Sequence, residues 1–363
     1  MLKLIIQPEA GISALLEGIN SAKESIELVI FRCDRGEMAS ALKAAIARGV
    51  FVHALIAYTN RGGEKTLREL ETRLLAAGVT VARTGDDLSR YHYKFMVMDR
   101  CLLYLLGFNY TYSDINHSRS FGIVTENPQF VQEAVKLFQA DTMRQPYTPG
   151  MGTFVVSPIN ARKQLSEFIE GARKQLLVYD PKISDSQSIH LLKERVKAGV
   201  DVRIIGRVGK RAAANLSAQK LTGMRLHTRA MIRDGEQAFV GSQSLRRVEL
   251  DSRREAGIIV SDPEVVIPLL TTFEADWASI KAAKDQAAVE RQDATPLAKA
   301  VKKALKAVTK DLPPLTPIVV EAVKEAVTEN GDAALDVKGA EKKVKEAVKE
   351  AVKEAVLHIV EKN

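Results

Sequence analysis

The sequence predicts an α/β fold built as two homologous α/β sandwich halves related by a pseudo-twofold, followed by a helical tail. Three observations lead there. Four blocks of the first 150 residues recur, in the same order, between residues 151 and 285. Within each copy, helical apolar spacing alternates with short β-branched runs, the pattern of a layered fold with a mixed sheet. Beyond residue 285 the composition turns to Ala, Val, Lys and Glu.

The repeats come first, since they set the architecture. INSAKESIELV (19–29) returns as IEGARKQLLVY (169–179), and IARGVFVHALI (46–56) as VKAGVDVRIIG (196–206), both 150 residues on. FGIVTENP (121–128) returns as AGIIVSDP (256–263), and LFQAD (137–141) as TFEAD (272–276), 135 residues on. The first copy therefore holds about fifteen extra residues, placed somewhere in 57–90. The expected domains are 1–150, 151–285 and a tail, 286–363.

In the first copy SAKESIELVIF passes from helical spacing into a strand. MASALKAAIARG reads as a helix stopped at Gly49, and VFVHALI as a short buried strand. The second copy repeats this with HLLKERVKAG and VDVRIIG. In the tail, LPPLTP (312–317) and ENGD (329–332) interrupt any helix, and KEAV occurs at 345–348, 349–352 and 353–356. Glu and Lys at this spacing support a helix by local pairing. A four-residue repeat drifts about 40° per repeat, so its Val stripe winds around the helix. The tail is expected to pack on the body or mediate self-association with a second subunit. Membrane-surface attachment is the alternative, weakened by a polar face that mixes both charge signs.

Composition narrows the function. The 363 residues are 46% hydrophobic and 27% charged, enough for real cores. No run of about 18 apolar residues exists, so no membrane span is expected, and the first apolar run is too short for a secretory signal. Two cysteines, Cys33 and Cys101, make neither a disulfide scaffold nor a four-ligand zinc site, and a reducing cytoplasm is the expected compartment. The net charge is +8, and because residues 286–363 hold 14 Lys and Arg against 13 Asp and Glu, seven of those charges belong to the body. That excess suits an anionic ligand, such as phosphate on lipid or nucleic acid. Aromatics are 6% with no basic interleaving, so no base-stacking platform is indicated.

The chemistry lies at equivalent places in the two copies. YHYKFMVMD supplies His92, Lys94 and Asp99; LHTRAMIRD supplies His227, Arg229 and Asp234 at the same spacing. Ten residues after each Asp stand Asn109 and Ser244, and the second return contains Gly241 and Ser242. Residues two apart on a strand face one side, so each His and its cation are expected to point together. Packed by a pseudo-twofold, two imidazoles and two cations would meet across one cleft. A phosphodiester there would find a nucleophile, a proton donor and charge neutralisation for its non-bridging oxygens.

These residues resemble the phospholipase D superfamily, whose signature is a twice-occurring His-x-Lys-x4-Asp motif followed by Gly-Ser and Asn. The resemblance covers about 1–285, including the duplication, and is nearest to the cardiolipin synthase and phospholipase D-like branch. It implies a reaction without metal or cofactor, through a covalent phosphohistidine. One His attacks phosphorus; the other protonates the leaving oxygen, then activates water or an alcohol. His92 takes the nucleophile's place by family convention, with His227 as acid and base. Lys94 and Arg229 would hold the phosphate, and Asn109, Ser242 and Ser244 would line its pocket. Asp99 and Asp234 would support the motif loops.

The sequence departs from the family pattern in three places. Arg229 replaces the second Lys with a larger, forked cation. Gly107 and Leu106 stand where Ser and Gly are expected, so that copy loses a hydroxyl. The family also supplies a carboxylate to orient each motif His. Glu255 is expected to serve His227, whereas the equivalent first-copy position is Ser120. His92 would then lack a local orienter unless Asp114 or Glu126 substitutes.

Other candidates carry weaker signals. His53, His190 and His358 read as strand or helix residues, His117 as a loop histidine near the motif, and the two cysteines as small buried hydrophobes. NRGGEK (60–65) lacks P-loop spacing. Arg246, Arg247, Arg253 and Arg254 would draw polyanions to the mouth of the site or simply solvate a face. The expected function is a phospholipase D-like phosphodiesterase or phosphatidyltransferase, with phospholipid favoured over nucleic acid as substrate. A phospholipase D-fold nuclease and a non-catalytic phosphate-binding module are the alternatives. The protein is expected to be cytoplasmic, with a peripheral membrane location open.

Overall fold

A computed structural model of the chain describes residues 2–58, 63–209 and 216–293. Residues 294–363, with the expected helix breaks, the KEAV repeats and His358, and the first residues of NRGGEK lie outside the described residues.

The first copy runs β1 (Leu2–Gln7), α1 (Ser13–Ser21), β2 (Ser25–Ile30), α2 (Gly36–Ala47), β3 (Phe51–Ile56), α3 (Gly63–Ala76) and β4 (Thr80–Arg83). It continues through β5 (Arg90–Tyr91), β6 (Phe95–Met98), β7 (Leu102–Leu106), α4 (Tyr112–Asn116), β8 (Ser118–Thr125) and α5 (Pro128–Met143). The second runs β9 (Phe154–Ser157), α6 (Ala161–Glu170), β10 (Gln175–Ile183), α7 (Ser186–Lys197), β11 (Asp201–Val208) and β12 (Ser217–Gln219). It closes with β13 (Arg225–Leu226), β14 (Arg229–Arg233), β15 (Gln237–Gly241), α8 (Arg247–Asp251), β16 (Arg253–Val260) and α9 (Pro263–Asp293). The two successions match element for element except for α3, which falls where the extra residues of the first copy were expected.

Local chemistry fixes several boundaries. α2 and α7 are followed by Gly49 and Gly199 at positive φ, where the chain turns into β3 and β11. α5 begins with Pro128, capped by the Asn127 side chain accepting from the Gln129 N–H. β2 (SIELVI) is buried from its second residue on, as a strand covered on both faces must be.

Each copy builds one mixed sheet. The first has the order β1-β8-β7-β6-β2-β3-β4, the second β9-β16-β15-β14-β10-β11-β12. The segments β2-β3-β4 and β10-β11-β12 are parallel and the other pairings antiparallel. The short strands β5 and β13 are exchanged: β5 pairs with β16 of the other sheet, and β13 with β8. This reciprocal exchange is the pseudo-twofold made concrete.

A central apolar cluster joins inward residues of both sheets, among them Leu105, Phe121, Val240 and Ile258, with Phe138 of α5 and Phe273 of α9. Separate outer clusters lie under α1 to α3 and under α6 and α7, around Leu15, Ile19 and Leu42 and around Leu165, Phe168 and Leu192. Each such side chain contributes roughly 1.5–3 kcal/mol by leaving water. Both copies belong to one compact unit, Met1–Ala282.

Candidate active site

Each motif histidine sits where its chain steps from one sheet to the other. Tyr91 ends β5 on the second sheet and Phe95 begins β6 in the first, so His92, Tyr93 and Lys94 span the step. The His92 N–H donates to the Arg254 carbonyl at 2.8 Å, and the His227 and Thr228 N–H groups donate to the Arg119 carbonyl at 3.1 Å. His92 and Lys94 therefore are not strand residues, as the spacing argument assumed. They still come together: Lys94 Nζ lies 3.2 and 3.1 Å from the two ring nitrogens. Arg229 opens β14 and folds back, Nη1 donating to the His227 carbonyl at 2.6 Å and Nε to Ser244 Oγ at 3.0 Å.

The carboxylates are exchanged between copies, which corrects the sequence expectation. Glu255 holds His92, not His227: its oxygens lie 3.0 and 2.9 Å from His92 Nδ1. The physical reason is the strand exchange, since β5 lies beside β16 and delivers His92 to the residues of β16. By the same exchange β13 lies beside β8, whose position matching Glu255 is Ser120. The carboxylate nearest the His227 ring is Asp114, with Oδ2 3.5 Å from His227 Nδ1. Asp114 thus stands beside His227, not His92.

Electrostatics follow from burial. Desolvation, reinforced by Lys94 and Arg229, holds His92 well below the usual imidazole range. Desolvation does the same to His227, opposed by Asp114. Lys94 is brought down to about 7 by burial, against the pull of Glu255. Burial raises Glu255, with Lys94 opposing. Asp114 would also be raised by burial, but His227, the Asn109 amides and Arg225 outweigh this and hold it at about 2. The charges around Lys94 come from Glu255, Arg229 and Glu249 of the second copy and Asp114 of the first. Both motifs therefore face one shared interface.

The other expected residues bond to the chain around the motifs, and Asn109, Ser242 and Ser244, expected to line a phosphate pocket, do not line the cleft described below. Asp99 accepts from the N–H groups of Lys23, Glu24 and Ser25, and Asp234 from those of Arg173, Lys174 and Gln175, which ties each motif hairpin to the start of β2 or β10. Asn109 donates its N–H and Nδ2 to Asp114, and the Ser244 N–H donates to Glu249, the equivalent acid. Ser242 Oγ donates to the Ala256 carbonyl at 3.3 Å, beside Glu255. At Gly107, a Cβ would stand 2.9 Å from the Phe121 carbonyl oxygen and 3.0 Å from that of Gly241. The missing first-copy serine is therefore a steric requirement of the place where the sheets meet. Of the arginine cluster, Arg246 and Arg253 pair with Glu249, and Arg254 is buried.

Sequence reasoning missed the groups that hold the histidine backbones. Arg254, whose carbonyl accepts from His92, pairs with Asp141 of α5 at 3.1 Å; Arg119, whose carbonyl accepts from His227, pairs with Asp276 of α9 at 2.9 Å. Tyr93 and Tyr179 hydroxyls donate to the same two aspartates at 2.7 Å. The signal was available in LFQAD and TFEAD, which end in these two residues. Phe31 packs edge-on against His92, ring centroids 4.6 Å apart. Its ring also faces Arg32, Arg90 and Lys94.

From His227 and Arg229 a cleft of about 1200 Å³ opens over the second copy. Its wall mixes Leu221, Met224 and Leu226 with Arg207, Lys220 and Arg225, and reaches Asn116 and His117 of the first copy. His117, a loop histidine by sequence, thus borders the cleft. Among the described residues no cluster of His, Cys, Asp and Glu has metal-site geometry.

Two exchanged halves, each placing a buried histidine beside a cation where its chain crosses to the other sheet, define a duplicated α/β fold. The family model "Cardiolipin synthase, PLD-like domain" matches residues 15–142 and again 165–277, one match per copy, and the chain belongs to this family of the phospholipase D superfamily. Among curated proteins it is similar to the mitochondrial cardiolipin hydrolase of Danio rerio, 29% identical over 136 residues, covering 36% of this chain and 59% of the relative. The Mus musculus protein of the same name is 26% identical over 133 residues, covering 36% and 58%. The chain thus spans less than two thirds of the length of these relatives. Among solved structures, polyphosphate kinase from Porphyromonas gingivalis matches with TM-score 0.64 and 19% identity, covering 76% of this chain and 50% of that one. Phosphatidylserine synthase from Haemophilus influenzae matches with TM-score 0.61 and 10% identity, covering 77% and 86%. At such identities these two speak for the fold alone.

Proposed function

We propose that the protein is a phospholipase D-like phosphodiesterase or phosphatidyltransferase that works through a covalent phosphohistidine, with a phospholipid as substrate. The observation that carries this reading is His92, with Nδ1 held by the buried carboxylate of Glu255. A hydrogen on Nδ1 leaves the lone pair on Nε2 for attack at phosphorus. As the P–N bond forms, the P–O bond to the leaving group breaks, and His227 gives that oxygen its proton. His227 then takes a proton from water or an alcohol, whose oxygen attacks phosphorus and releases His92. Lys94 and Arg229 offset the charge that builds on the non-bridging oxygens. Burial disfavours the protonated form of His227; a phosphodiester anion beside it acts in the opposite direction.

The family and the curated relatives support a phospholipid substrate. So does a cleft whose wall offers apolar side chains beside cations. Among the described residues no helix is long and apolar enough to cross a membrane. A phosphate-binding module without turnover is the second reading, favoured by Ser120 and by the 3.5 Å gap between His227 and Asp114. The deciding experiment is a turnover screen of phospholipid diesters against single- and double-stranded nucleic acid, with chelator present, together with alkaline-quench trapping of acid-labile, base-stable phosphohistidine. Trapped phosphoenzyme that disappears in His92→Ala, with lipid turned over, supports the proposal. Turnover of nucleic acid alone transfers it to the nuclease reading. Ligand binding without turnover or phosphoenzyme establishes the binding module.

A further inference from the structure

The two copies are equivalent, yet their acids are not. Glu255 and Ser120 occupy matching places on β16 and β8, 135 residues apart. Glu255 meets His92 squarely, so symmetry assigns position 120 to His227. Ser120 is fully buried there, and neither its Oγ nor His227 Nδ1 has a hydrogen-bond partner among the described residues. A carboxylate reaches this ring from another direction. Asp114, on α4, stands with Oδ2 3.5 Å from His227 Nδ1. That same oxygen accepts from Asn109, while Oδ1 accepts from Arg225 Nη1 at 2.6 Å. Arg225, on β13, is half exposed and lines the cleft.

We infer that Asp114 is the positioning carboxylate of His227, standing in for the acid that position 120 lacks, and that Arg225 on the cleft wall governs how much of its charge the imidazole receives. The charged groups facing this pair are Arg225 from β13, Arg229 from β14 and Lys94 from the step before β6. The first two and Lys94 all disfavour a proton on His227; Asp114 alone among them favours it. An anion that draws Arg225 into the cleft leaves Asp114 more fully to His227. The proton would then be held most firmly when a phosphodiester is bound, which is when the acid role requires it. This last consequence rests on the proposed function; the pairing itself does not.

The test uses the full chain, and bis-p-nitrophenyl phosphate as substrate probe, with variants Asp114→Asn, Asp114→Asn/Ser120→Glu and Arg225→Gln. His227 is titrated by NMR, its signals assigned by difference against His227→Gln. Asp114→Asn should lower kcat about tenfold or more, with KM within about threefold, and move the His227 midpoint to lower pH. Ser120→Glu in that background should restore kcat at least in part. Arg225→Gln should move the midpoint up by about half a pH unit or more. An unchanged midpoint and kcat in Asp114→Asn, or a folded double variant that recovers nothing, overturns the inference. Should Asp114→Asn not fold, Asp114→Ser takes its place in the titration: a His227 midpoint moved to lower pH supports the pairing and an unmoved one overturns it. A wild-type chain without turnover would defeat the proposed function, while the titrations would still judge the pairing.

Discussion

Replacing Glu255 by Gln removes one negative charge from a fully buried position while keeping the shape of the side chain. The amide oxygen can still accept the His92 Nδ1 hydrogen now held at 2.9 and 3.0 Å. What disappears is charge assistance as the ring becomes cationic on attacking phosphorus. A hydrogen bond to a charged group is worth about 1.5–3 kcal/mol and a neutral one about 0.5–1.5. The difference, about 1–1.5 kcal/mol, corresponds to roughly a 5- to 13-fold slower phosphorylation step. Glu255→Ala also removes the acceptor, and roughly 13- to 160-fold is expected on the same scale. The substitution has a second, separable effect. Glu255 is the leading group that opposes the burial-driven fall of Lys94. Without it Lys94 loses its proton at lower pH, and the alkaline limb of activity moves toward acid in both variants. Rapid-quench measurement of phosphoenzyme formation across pH reads both effects. The reasoning fails if folded Glu255→Gln phosphorylates within twofold of wild type, or if Gln is as damaging as Ala.

Other perturbations follow the same logic. Lys94, brought to about 7 by burial, acts as a cation only below that value, so kcat/KM should decline as pH rises through about 7, and Lys94→Arg should carry the limb beyond pH 9 if the fork is accommodated; pH-rate profiles check this. Asp141→Ala leaves the Arg254 guanidinium buried and unpaired, with an expected loss of about 3–5 kcal/mol that calorimetry would register; a loss under about 1 kcal/mol refutes the clamp. Gly107→Ser restores the family's hydroxyl but drives a Cβ against two carbonyl oxygens, so a loss of about 1–3 kcal/mol is expected in chemical denaturation, with no gain in turnover.

Much of the architecture was legible because it is written twice. Blocks at fixed offsets gave the duplication, and Gly49 and Gly199 marked the same turn in both copies. That His92 and Lys94 come together was legible from spacing, though for an incomplete reason: they meet at a step between sheets, not on one strand. Partnership across the copies was not legible. Assigning Glu255 to His227 follows naturally from proximity in sequence, and nothing in local pattern shows that two-residue β5 pairs with β16. Glu249 was overlooked among the arginines around it. Asp141 and Asp276 stood at the ends of recognised repeats, but an acid on an apolar helix gives no local sign of the arginine it meets more than a hundred residues away.

The reciprocal crossing of β5 and β13 makes the two copies answerable for each other. Severed into two polypeptides, each would keep its own histidine and surrender the acid that steadies it, along with the carbonyl that fixes its backbone. A fragment carrying either motif by itself is thus half of two unfinished workshops, and any repair of a damaged histidine environment must be sought on the far side of the pseudo-axis.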